Sequence, residues 1–65
     1  MTRGTSKFVL YRDLEDGYRW RLRSAAGETL AASEHGYREK ASCEAEMLAA
    51  RADHPGAEVL DATDR

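Results

Sequence analysis

This 65-residue chain has a single cysteine, a single proline and only two histidines. Each scarcity excludes something. Cys43 has no partner within the chain, so no internal disulfide braces a domain this small. Cys43, His35 and His54 are the only thiol or imidazole groups, and their spacing matches no ligand motif. No metal and no cofactor is therefore expected. No apolar run approaches the roughly 18 residues of a membrane span. The stretch Met1-Thr2-Arg3-Gly4-Thr5-Ser6 also lacks the apolar segment of a signal peptide, so the expected setting is the cytoplasm, without a membrane partner. Nor is there an excess of one charge. Ten Lys and Arg stand against twelve Asp and Glu, a formal charge of −2 that does not mark a general nucleic-acid binder.

A catalytic inventory is missing as well. No Ser, Cys or Lys nucleophile lies at a recognisable spacing from a His and an orienting carboxylate. The glycines are isolated at turns, so no phosphate-cradling loop exists. His35 and His54 read as polar loop and helix-end residues, and Cys43 reads as a small buried helix residue rather than a reactive thiol. The chain is expected not to be an enzyme. Size is the last shortage. A domain of about 60 residues buries only about 60% of the surface that its unfolded chain exposes. With disulfides and metals set aside, association with a partner subunit is the expected supplement.

What is present is a strong period of two. In Gly17-Tyr18-Arg19-Trp20-Arg21-Leu22-Arg23 apolar and cationic residues alternate, which puts Tyr18, Trp20 and Leu22 on one face of a strand and Arg19, Arg21 and Arg23 on the other. Lys7 to Asp13 alternates likewise, and Asp16-Gly17 supplies the turn between the two. If Phe8 and Leu10 share the apolar face, Phe8 must oppose Leu22 and Leu10 must oppose Trp20. Lys7, Val9 and Tyr11 then lie beside Arg23, Arg21 and Arg19. A second reversal at Ala25-Ala26-Gly27 leads to a third strand over Glu28 to Ser33, with Leu22 expected opposite Leu30 and Trp20 opposite Ala32.

From Glu39 to Asp53 the period is helical, ended by His54-Pro55-Gly56. Two apolar stripes run along it, one of Cys43, Met47, Ala50 and His54, the other of Ala41, Ala45, Leu48 and Ala52. Spacing alone does not choose between them, and a helix apolar on both sides suits contact with a second subunit. Ala57 to Asp61 reads as a short fourth strand. The expected organisation is a disordered N-terminus over residues 1–6, one domain over 7–61 and a disordered tail over 62–65.

The order of these motifs resembles a known family. Phe8-Val9-Leu10-Tyr11-Arg12-Asp13, Tyr18-Arg19-Trp20-Arg21-Leu22, Gly27-Glu28, Ala31 with Ser33, Gly36-Tyr37, Lys40-Ala41-Ser42 and Ala57-Glu58-Val59 are similar to the YegP-like domains. Ala26 stands where Asn is usual before the turn glycine. Glu39 stands for a Ser near the helix start, and Ala45-Glu46-Met47 for Asn-Gly-Ile. The resemblance implies an α+β fold built as a β-β-β-α-β unit, an antiparallel meander with one helix packed on a sheet face. It also implies a tandem repeat or a homodimer with one continuous sheet and swapped C-terminal strands. With one copy in this chain, a homodimer is expected. The resemblance favours the Cys43 stripe as the sheet-facing one, and it carries no established biochemical activity.

Two functional readings follow. The first is a non-enzymatic homodimeric domain acting as an interaction or accessory module. The second uses the face formed by Lys7, Tyr11, Arg19, Arg21 and Arg23, where the cations meet phosphates and Tyr11 offers a ring for a base, giving weak binding of single-stranded RNA or DNA. The alternative for that face is a solvated strand surface. Its arginines would then stack on Tyr11 and pair with acids such as Glu58 or Asp61 of the swapped strand.

Overall fold

The computed structural model describes residues 5–63. The remaining residues of the two expected disordered ends, 1–4 and 64–65, lie outside the described residues. Three strands come first, β1 (Lys7–Asp13), β2 (Gly17–Arg23) and β3 (Thr29–Ala32), followed by helix α1 (Lys40–Arg51) and strand β4 (Glu58–Asp61). They form a four-stranded sheet in the order β3-β2-β1-β4. The first three strands are an antiparallel meander, and β4 returns beside β1 in parallel. The architecture is α+β, as expected.

The β1–β2 register is the one demanded by the apolar pattern, with Phe8 opposite Leu22 and Leu10 opposite Trp20. These four are buried, together with Cys43, Met47 and Ala57. Phe8 meets the Trp20 ring edge-on at 5.6 Å between centroids, a favoured aromatic geometry. Phe8 also touches the His54 ring at 6.1 Å. Helix α1 therefore turns Cys43, Met47 and Ala50 to the sheet, and His54, three residues beyond its end, lies against Phe8. Ala41, Ala45, Leu48 and Ala52 are left exposed.

The β2–β3 pairing corrects the sequence reading. Ser24 donates its N–H to the Glu28 carbonyl, Gly27 donates to Ser24, and Gly27 has a φ of 95°. The three-residue reversal is thus the expected one, with glycine where a side chain would be strained. Arg23 still faces Thr29, but Leu22 faces Ala31 and Arg21 faces Ala32, with an irregularity between Leu22 and Arg23. Leu30 is the extra residue and swings out to 51% exposure. Ala31 and Ser33, not Leu30 and Ala32, join the core face. The reason lies in what they offer. Ala31 is small enough to pack against the core, and Ser33 satisfies Trp20 twice. Its hydroxyl accepts from the Trp20 N–H at 3.4 Å, and its own N–H donates to the Trp20 carbonyl at 2.9 Å. A bulge that re-aims side chains in this way is a regular device of antiparallel sheets.

Beyond β3 the chain folds back on β2. Tyr18 and Tyr37 exchange both backbone hydrogen bonds at 2.8 Å. This close approach explains Gly36, where an added Cβ would overlap the Asp16 carbonyl. The β1–β4 ladder reaches one residue before β1, where Ser6 accepts from Glu58, and one residue past β4, where Ala62 donates to Leu10. No helix is long and apolar enough to cross a membrane among the described residues.

Candidate functional site

The sheet has one face covered by α1 and one face open. Strand alternation and the observed register place Lys7, Val9 and Tyr11 of β1 beside Arg23, Arg21 and Arg19 of β2 on the open face. All five of the expected binding residues, Lys7, Tyr11, Arg19, Arg21 and Arg23, are therefore brought together. Their surroundings differ. Arg19 donates from Nη1 to Asp16 Oδ2 at 2.8 Å, a pair with the Asp half exposed. Arg23 donates from Nη2 to the Gly27 carbonyl at 2.8 Å, tying the row to the β2–β3 reversal. Arg21 lies over the Tyr11 ring at 4.9 Å, and its Nε is shut off from solvent without a hydrogen-bond partner.

Of the acids expected to neutralise this row, Glu58 stands beside Lys7 without an ion pair, and Asp61 faces the helix. Parallel pairing of β4 with β1 sets Glu58 beside Lys7 and Leu60 beside Val9 on the open face, with Val59 and Asp61 on the helix face. Asp61 there meets Lys40 of α1 at 2.7 Å. Its carboxyl is held well below the usual carboxylate range, first by the Lys40 hydrogen bond and then by the Thr63 hydroxyl and N–H. Asp13 is also lowered, because its Oδ1 accepts the N–H groups of Glu15 and Asp16 in the first turn.

The nucleophile and imidazole candidates are dispersed. Cys43 is fully buried in the core, and burial pushes its thiol up, away from the thiolate that reactivity needs. His35 points Nδ1 to the Gly36 carbonyl at 2.8 Å and stacks on Tyr37 at 4.5 Å between centroids. His54 sits against Phe8 at the far end of α1. Among the described residues, no group of three or more His, Cys, Asp or Glu side chains is placed to hold a metal ion.

The second notable surface is the free edge at β4. All four of its residues are exposed, including Val59 at 42% and Leu60 at 48%. The flank of α1 that overlooks this edge is marked by Lys40, which reaches Asp61, and by Arg51, whose Nε donates to the Ala57 carbonyl at 3.3 Å. Leu48, at 49% exposure, lies beside this flank and lines an open groove with Arg51, Ala52 and Pro55. Sequence reasoning found the arginine row, but it missed the Lys40 contact to Asp61 and the exposed Leu30. The Lys40 contact joins residues 21 positions apart through the crossover, and no local pattern announces it.

Comparison with known proteins gives one match. A family model described as a domain of unknown function, DUF1508, matches residues 13–61. No curated protein and no solved structure matches the chain.

Proposed function

The chain belongs to the DUF1508 family, the YegP-like domains of unknown function, and we propose that it works as a non-enzymatic homodimeric interaction or accessory module. The observation that carries the reading is the β4 edge. Among the described residues its outward backbone groups have no partner, and it carries two large aliphatic side chains in a protein of 65 residues. An open edge strand of this kind is a template for another strand. The self-complementary solution is a two-fold pairing of β4 with its own copy, which makes one continuous sheet of eight strands. Centring the two-fold on Leu60 sets that side chain against its own copy and keeps Glu58 and Asp61 from facing their like. Leu48 and the groove beside it lie on the same flank and extend the contact.

In the proposed dimer the C-terminal strands are exchanged, so that β4 of one chain lies beside β1 of its partner. The connector His54-Pro55-Gly56 is where the chain would depart. Engineered cysteines test the exchange directly. Lys7 and Glu58 are neighbours across β1 and β4, adjacent strands stand about 5 Å apart, within disulfide reach, and Glu58 does not face its own copy in the proposed pairing. On mild oxidation, Lys7→Cys combined with Glu58→Cys is expected to give a covalent two-chain species on a non-reducing gel. A disulfide confined to single chains would overturn the exchange.

A further inference from the structure

We infer that the open sheet face binds single-stranded nucleic acid, with Arg21 and Tyr11 at its centre and Lys7, Arg19 and Arg23 around them. The charge balance of that face is the starting point. Lys7 lies directly opposite Arg23, and like charges so placed across a strand pair are destabilising. Among the described residues, the only carboxylate in ion-pair contact with the row is Asp16, on Arg19. Glu58 neighbours Lys7 in register, but no ion pair joins them. Among the described residues, Lys7, Arg21 and Arg23 thus carry their positive charges without an ion pair, on one face of a chain whose net charge is −2. A polyanion supplies the missing countercharge.

Two features select a nucleic acid over an acidic protein. Arginines two residues apart on a strand are spaced by roughly 6.7 Å, comparable with successive phosphates of an extended single strand. The Arg21 guanidinium is also already stacked over Tyr11 at 4.9 Å, a planar platform in the middle of the cations. Unpaired bases stack on aromatic rings and on arginine planes, whereas a carboxylate binds only the edge of a guanidinium and gains nothing from a ring face. All of these groups lie within one chain, so the binding surface does not depend on the oligomeric state.

Fluorescence anisotropy with a labelled mixed-sequence RNA of about 12 nucleotides provides the test, with poly-glutamate of equal charge in parallel. At roughly 20 mM salt the protein is expected to bind the RNA saturably, with log affinity falling against log salt at a slope of about −2 for three phosphates. Arg21→Gln and Lys7→Gln should each make that slope shallower by about 0.7. Tyr11→Leu retains every charge, yet it should weaken RNA by about fivefold or more while leaving poly-glutamate unchanged. Lys7 is exposed at the strand end, which keeps the test sound should Arg21→Gln lower the melting temperature. Absence of saturable binding at low salt would overturn the inference. So would unchanged slopes in both charge variants, or poly-glutamate binding as tightly as RNA with Tyr11 irrelevant to both.

Discussion

Asp61 shows how much one side chain's meaning depends on which way its strand lies. As part of a four-residue acidic and apolar strand it reads as a partner for the arginines. In the fold it faces the helix and holds Lys40 at 2.7 Å. Its lowered pKa has a consequence for stability with a definite sign. A carboxyl whose folded pKa lies below its unfolded value of about 4 stabilises the fold fully above that value. The contribution is then lost as pH falls toward the depressed one. Asp61→Asn is accordingly expected to flatten the fall of melting temperature below about pH 4. An acid limb identical to that of the parent chain would contradict it. The arginines are the opposite case. Strict alternation placed Arg19, Arg21 and Arg23 on the open face from the residues alone, because a period of two leaves no other arrangement. Their individual partners, Asp16, the Tyr11 ring and the Gly27 carbonyl, depend on turn geometry and side-chain rotation that alternation does not encode.

At the scale of elements, β1 and β2 were legible to the residue, because Phe8, Leu10, Trp20 and Leu22 make any slip of register expensive. Strand β3 was legible only near its turn. The loop parity holds from Gly27 to the Arg23–Thr29 pair, and then Leu30 is passed over. A run of Leu30-Ala31-Ala32 carries too little hydrophobic contrast to fix which residue faces the core. The buried hydroxyl of Ser33 decides it instead. The helix was legible in extent to within two residues, and its N-terminus is under-built. Glu39 occupies the cap position with extended backbone angles but makes no side-chain hydrogen bond to the first turn. Glu39→Ser should supply the missing acceptor and raise stability by about 0.5–1 kcal/mol, read from denaturant unfolding at fixed protein concentration. An unchanged or lower midpoint would show that the cap is not limiting.

For the molecule as a whole, composition indicated a deficit that the fold makes concrete. One sheet face is covered by α1, the other is open, and the β4 edge carries exposed Val59 and Leu60. Nothing local in Glu58-Val59-Leu60-Asp61 announces a strand that runs parallel to β1, since that direction follows from the crossover through α1. The proposed continuous sheet makes a sharp statement about two amides. Glu58 and Ala62 donate inward to Ser6 and Leu10, so on the alternating ladder the N–H groups of Val59 and Asp61 point outward from the free edge. Amide hydrogen exchange at these two residues is the most direct measurement of whether the edge is covered. The dimer predicts that both are protected to the level of the central strands, and that protection falls on dilution. Exchange of Val59 and Asp61 at the unprotected rate, with Leu60 still protected, would show a bare edge and contradict the account.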